Sequence, residues 1–202
     1  MNEQARKYLD MFRKGRSVSM ATVDEDGRPQ SRIIDVMIVN DDGMYIISSR
    51  GKEFHKQLTE KEDVAMSYYF EETCVSLRFL GKVKKVETKW LDEVFVQNPG
   101  MNEVYPGETR YALDCFLVYQ GHGEFFDLSK NPIYRERFAY GGDEVAKVGF
   151  KIMDNCVSCG VCVEHCPQKC ISEGSPYEIK EYNCLHCGHC FEYCPVGAVE
   201  KC

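Results

Sequence analysis

Ten of the twelve cysteines in this 202-residue chain lie between Cys156 and Cys202, and eight of them fall into two copies of one spacing. CVSCGVCVEHCP at 156–167 and CLHCGHCFEYCP at 184–195 both read C-x2-C-x2-C-x3-C-P, offset by 28 residues. Three thiols at i, i+3 and i+6 on a tight loop present one side of a small inorganic core. A fourth, followed by proline, leaves in a new direction. Gly160 and Gly188 sit between the second and third cysteines of each copy, where the backbone must turn closely around sulfur. Zinc sites typically use two Cys pairs or Cys with His. Four thiols per motif, twice over, predict two 4Fe-4S clusters instead.

Two such loops exchange their fourth ligands. The expected sets are therefore Cys156, Cys159, Cys162 and Cys194 for one cluster, and Cys184, Cys187, Cys190 and Cys166 for the other. With eight thiols available no vacancy remains for His165, His186 or His189. Of the other cysteines, Cys74 and Cys115 fall in strand-like runs and read as core residues. Cys170 reads as a small packing residue, and Cys202 as an exposed terminus. Residues 151–202 resemble a bacterial-type two-cluster ferredoxin domain, a small iron–sulfur fold built from a βαβ repeat.

Such cysteine density fits a reducing compartment. No apolar run approaches the roughly 20 residues of a membrane span, and the N-terminus reads as a helix rather than a signal peptide. The expectation is a cytoplasmic protein with no membrane partner. The net charge is −7, without the clustered Lys and Arg that nucleic acid demands, so no nucleic-acid partner is expected.

Ahead of the cysteines the pattern is mostly β. Ala5, Tyr8, Leu9 and Phe12 recur at helical spacing within 2–14. Strands are predicted at 17–23, 31–39, 44–49, 63–70, 74–87, 111–120 and 121–128, with helices at 52–58 and 88–97 and a Gly/Pro-rich loop at 98–108. RERFAYGG (135–142), within the stretch leading to the cysteines, reads as a bridge. Absence of a βαβ rhythm in this part predicts a closed or nearly closed barrel. The domain expectation is 1–150 followed by 151–202, and the fold class is α+β, mostly β.

SMATVDEDGRPQSRIIDV, MYIISSRGKEFHKQLTEKEDVAMSYY and LRFLGKVKKV resemble the FMN-binding split-barrel superfamily, the pyridoxamine 5′-phosphate oxidase-like group. The resemblance implies an antiparallel split β-barrel with short helices and a homodimer with FMN at its interface. By position it implies that Arg32, Ser48, Ser49, Lys52 and Lys56 hold the phosphate, and that backbone at Ile33, Ile34, Asp35 and Ile47 lines the isoalloxazine. Arg and Lys donors with hydroxyls suit a phosphate dianion, and a helix N-terminus near Gly51 adds partial positive charge. The group also includes heme and deazaflavin binders, which pattern alone leaves open. Trp90, Tyr68 and Tyr69 read as core or dimer-interface residues, and Tyr105 as the border of a substrate pocket.

Clusters carry single electrons, and a flavin converts one-electron traffic into two-electron chemistry. The combination predicts an oxidoreductase. Electrons from an external low-potential donor would pass through two clusters to FMN, which would reduce a small organic substrate. Low-potential clusters sit badly with oxygen, which disfavours an oxygen-consuming oxidase and suits anaerobic chemistry. The competing expectation is a non-enzymatic electron carrier or redox sensor. No catalytic acid can be named from the sequence.

Overall fold

The computed structural model describes residues 1–145 and 147–202 and divides the chain into two compact units. The first comprises Met1–Phe70, Ser76–Glu124 and Arg137–Val145. The second comprises Glu71–Val75, Phe125–Glu136 and Ala146–Cys202.

In the first unit, α1 (Glu3–Gly15) starts where the Asn2 side chain accepts a hydrogen bond from the Ala5 N–H at 2.7 Å. This N-cap satisfies a donor that the first turn leaves open. Glu3 in the first turn and Arg13 and Lys14 in the last complement the helix dipole. The helix buries Ala5, Tyr8, Leu9 and Phe12 completely.

The sheet follows. Its strands are β1 (Ser17–Val23), β2 (Pro29–Asp35), β3 (Ile38–Asn40), β4 (Gly43–Ser49), β5 (Asp63–Phe70), β6 (Val75–Lys85), β7 (Leu113–Asp127) and β8 (Tyr134–Tyr140). They lie in the order β2-β1-β5-β6-β7-β4-β3, with β8 also paired to β7. The result is a curled antiparallel half-barrel. Two helices connect its strands: α2 (Glu53–Glu60) between β4 and β5, and α3 (Thr88–Gln97) between β6 and β7. A single turn, α4 (Met101–Val104), interrupts the 98–108 loop.

Three sequence expectations are corrected here. The run 31–39 is two strands, because the chain changes partner at Val36 and Met37. The Val36 N–H bonds Arg16 O at 2.9 Å and the Met37 N–H bonds Tyr45 O at 2.8 Å. Their carbonyls accept from side chains, Arg13 Nη1 onto Val36 O at 2.8 Å and Asn98 Nδ2 onto Met37 O at 3.0 Å. The runs 111–120 and 121–128 form one 15-residue strand, β7. Gly121 reads as a break but serves close approach: a Cβ there would collide with Leu80 O and the Phe79 ring. Finally, much of the supposed bridge at 135–142 lies in β8.

The core of the first unit centres on Phe79. Tyr140 stacks on it at 5.7 Å, Phe138 lies at 6.4 Å and Phe12 meets it edge-on at 6.4 Å. A second apolar cluster, with Tyr45, Leu91, Val94, Phe95 and Cys115, is closed by Trp90 packed 4.4 Å from Tyr45. Trp90 is thus a core contact.

The second unit is built on two short antiparallel pairs. β9 (Phe150–Ile152) pairs with β12 (Val199–Lys201), and β10 (Ile171–Ser172) with β11 (Glu178–Ile179). Single helical turns, α5 (Val161–Glu164) and α6 (His189–Glu192), follow Gly160 and Gly188. Ile152, Ile171 and Val199 form its core with the thiols of Cys162 and Cys190.

Candidate cluster and flavin sites

The two cysteine motifs share one backbone course. Positive φ recurs at matched places: Ser158 and His186 (53° and 57°), Gly160 and Gly188 (81° and 87°), Lys169 and Gly197 (49° and 61°). Each turn aims a backbone N–H at sulfur. Ser158 donates to Cys156 Sγ at 3.4 Å, and His186 to Cys184 Sγ at 3.4 Å. Cys170 donates to Cys166 Sγ at 3.4 Å, and Ala198 to Cys194 Sγ at 3.2 Å.

The thiols surround two cavities. Cys156, Cys159, Cys162 and Cys194 line one, together with Tyr177 and Pro195. Cys166, Cys184, Cys187 and Cys190 line the other, with Cys170 and Pro167. Each draws three thiols from one motif and one from the other. Backbone donors and four sulfurs around an apolar hollow are the donor set a cubane cluster requires. Cys159 and Cys187 are exposed, so each cavity has an edge at the surface.

The thiols are not electrostatically alike. Backbone hydrogen bonds from Tyr177 and Ser158 hold Cys156 below the ordinary thiol pKa. Hydrogen bonding from Cys170, backed by the His186 N–H and the charge of Arg135, holds Cys184 low. Burial pushes Cys190 up to about 11.

Of the remaining cysteines, Cys115 is the buried core residue expected, its thiol pushed up to about 12 by burial. Cys74 is not. It is exposed, with φ +52°, in the turn between β5 and β6. Cys202 is exposed as expected. Cys170 is 3% exposed, but it packs among cluster thiols, 3.5 Å from Cys166 Sγ.

The residues matched to a flavin phosphate lie around α2 but do not all converge. Arg32 reaches from β2 across β1. Its Nη1 donates to Thr22 Oγ1 at 2.6 Å, its Nη2 to Gln57 Oε1 at 3.0 Å, and its guanidinium lies 4.5 Å over the Phe54 ring. Burial draws its pKa down. Lys52 is the N-cap of α2, with no side-chain cap bond. Ser48 and Ser49 point to opposite faces of β4, as the strand period dictates. Ser48 pairs with Asp114 of β7 and is 3% exposed, and its buried hydroxyl has no hydrogen-bond partner among the described residues. Ser49 faces the other way and shares a hydrogen bond with Tyr105 OH at 3.1 Å. Ile47 packs into the apolar cluster beneath α3. Ile34 and Asp35 continue β2 beside β1, and Ile33 projects outward with 67% exposure. Lys56 lies 2.9 Å from Glu25, in a groove that also holds Asp24, Asp26, Glu53 and Glu60. It would meet a phosphate only by leaving that carboxylate.

Sequence reading missed the charge cluster beside Ser48. The Asp114 carboxylate accepts from His55 Nε2 at 2.7 Å and Lys85 Nζ at 2.8 Å, with Arg50 Nη1 at 3.5 Å. Burial raises its pKa, but the Lys85 and His55 hydrogen bonds outweigh burial and hold the carboxyl below its usual range. His55 and Lys85 carried a signal only as isolated polar residues; they meet because β7, which carries Asp114, lies between β6, which carries Lys85, and β4, which leads into the helix of His55.

One chain thus joins a split half-barrel of antiparallel strands to two cavities, each lined by four motif cysteines. Residues 4–110, just over half the chain, match the pyridoxamine 5′-phosphate oxidase family, and residues 155–198 match the 4Fe-4S dicluster domain. The chain belongs to the pyridoxamine 5′-phosphate oxidase family and carries a 4Fe-4S dicluster ferredoxin domain. It is similar to dihydrophenazinedicarboxylate synthase of Pseudomonas chlororaphis, 26% identical over 88 residues, 44% of this chain and 40% of that protein. A ferredoxin of Butyribacterium methylotrophicum is 56% identical over 32 residues, 16% of this chain and 58% of that one. These matches span less than two thirds of either relative. Among solved structures, a NimC/NimA family protein of Clostridium acetobutylicum superposes with a TM-score of 0.58 at 16% identity, covering 68% of this chain and 94% of that one. That likeness concerns the fold. Among the described residues, no helix is long and apolar enough to cross a membrane.

Proposed function

We propose that the protein is an iron–sulfur flavoprotein reductase. The observation that carries this reading is the presence, on one chain, of a flavin-family half-barrel and two cavities each lined by four motif cysteines. The eight thiols would hold two 4Fe-4S clusters filled by an external low-potential donor. FMN, when bound, supplies the conversion of single electrons into a two-electron reduction of a small organic substrate.

The chain's own residues account for retention of the flavin phosphate. Ser48 offers a buried hydroxyl that no group among the described residues uses. Arg32, braced by Thr22, Gln57 and Phe54, keeps further N–H donors for an anion. Lys52 stands at the open N-terminus of α2. Ser49 and Lys56 are already engaged, with Tyr105 and Glu25, and would contribute only after changing partners.

A homodimer is part of the reading. Ile33 and Tyr69 lie on one outward face, since Ser19 pairs with both Ile33 and Ser67. They are 67% and 54% exposed, and Leu80 of neighbouring β6 is 55% exposed. An apolar sheet face of this kind is a natural surface for a second copy.

The test is direct. Protein purified without oxygen is expected to contain flavin and about eight iron atoms per chain. After reduction with dithionite, it is expected to be re-oxidised catalytically by small electrophiles such as nitro compounds or activated alkenes. Iron and flavin without any turnover would instead make it a carrier. Iron without flavin would remove the flavin assignment.

A further inference from the structure

We propose that Arg135 and Cys170 make the cluster held by Cys184, Cys187, Cys190 and Cys166 the easier of the two to reduce, so that a single added electron rests there. The inference rests on both cavities holding 4Fe-4S clusters.

The internal repeat supplies the control. Backbone N–H donors to sulfur are matched between the cavities: Ser158 with His186, and Ala198 with Cys170. These pairs cancel in a comparison of the two. What remains is unmatched chemistry on the second cavity. Where the second motif has Ala198, the first has Cys170, a buried residue whose Sγ lies 3.5 Å from Cys166 Sγ. A neutral thiol beside a cluster thiolate donates its S–H to it and draws charge from that sulfur.

The second unmatched group is a cation from outside the cysteine motifs. The 125–136 segment belongs to the same compact unit as the motifs. Ile133 is clamped at both backbone atoms. Its N–H donates to Gln168 Oε1 at 2.9 Å, and its carbonyl accepts from Asn183 Nδ2 at 2.7 Å. Gln168 lies two residues after Cys166, and Asn183 directly precedes Cys184. Two residues beyond the clamp, Arg135 is 9% exposed, with its guanidinium 4.8 Å over the Phe126 ring. Asn183, which holds the Ile133 carbonyl, directly precedes Cys184, so the segment that carries this cation runs beside that ligand.

Reduction adds one negative charge to a cluster and breaks no bond. A low-potential one-electron donor is oxidised as the cluster is reduced. A full positive charge at low dielectric lowers that cost more than a neutral dipole does. The first cavity has one unmatched dipole of its own, the Tyr177 N–H on Cys156. It is the weaker counterweight.

Redox titration of the complete, iron-loaded protein with dithionite, followed by low-temperature electron paramagnetic resonance, tests this. Two midpoints are expected. Arg135→Gln and Cys170→Ala should each lower the higher one, Arg135→Gln by about 59 mV, a tenfold shift of the electron between clusters. Arg135→Lys should restore it. Ala198→Cys, which gives the first cavity its missing thiol, should raise the lower midpoint. Unchanged midpoints in iron-replete Cys170→Ala and Arg135→Gln, or movement of the lower one instead, would overturn the assignment. If Arg135→Gln fails to load iron, Cys170→Ala and Ala198→Cys decide it. Loss of the clusters from the unmodified protein would sink the underlying cluster reading, whereas eight irons with indistinguishable midpoints would sink only this one.

Discussion

Asp114 Oδ2 lies 2.7 Å from His55 Nε2, so a carboxylate on β7 ties down the helix that follows β4. The same carboxylate takes Lys85 from β6 at 2.8 Å. Asp114→Asn breaks these charge-assisted bonds and is expected to cost about 1.5–3 kcal/mol at pH 7. The folded state holds this carboxyl below its ordinary pKa. Its stabilisation is therefore complete above the unfolded pKa and is lost as pH falls through the lower folded value. Thermal unfolding of the two proteins should converge as pH drops below the usual carboxylate range; a gap constant from pH 7 to about pH 3 would refute the linkage.

Phe79 holds the first unit's aromatic core together. Phe79→Ala should destabilise by about 3–5 kcal/mol in denaturant melts. Gly121→Ala should be severe as well, since its Cβ meets Leu80 O and Phe79. Gly51→Ala meets nothing within 4 Å and serves as the neutral control.

The thiols outside the motifs differ in reactivity. In native, iron-loaded protein, iodoacetamide should modify exposed Cys74 and Cys202 and spare Cys115, whose pKa is pushed up to about 12. Mass spectrometry of peptides would read this. Labelling of Cys115 before unfolding would contradict its burial.

Cluster composition can be read from iron. Cys194→Ala is expected to strip a thiol from the cavity of Cys156, Cys159 and Cys162, although it belongs to the other motif. About half the iron should be lost or converted to a three-iron form, and the EPR signal of the Cys184 cluster should persist.

Flavin retention separates two cations that the sequence treats alike. Arg32→Ala should weaken FMN binding tenfold or more, about 1.4 kcal/mol, as read by fluorescence on release. Lys56→Ala, which removes a residue already bound to Glu25, should change it little.

Much of this was open to the sequence because it rests on local rules. The motif spacing needs only a few residues of backbone to place three thiols, and the repeat of positive φ at Ser158/His186 and Gly160/Gly188 follows from it. The amphipathic spacing of Tyr8, Leu9 and Phe12 likewise fixed the buried face of α1. Cys74 was misread because a strand-like run gives no sign of where its turn begins.

What the tertiary structure alone decided concerns long-range register. The pairing of β4 with β7 sets Ser48 beside Asp114 and turns Ser49 toward Tyr105, 56 residues away. The two adjacent serines thus part company. The fold also brings the 125–136 segment into the same compact unit as the cysteine motifs, with Ile133 held by Gln168 and Asn183 beside the first and second motif. The sequence by itself determined the eight thiols and their grouping by spacing. Which charge stands beside which sulfur depends on side chains dozens of residues apart, and no local spacing encodes that distance.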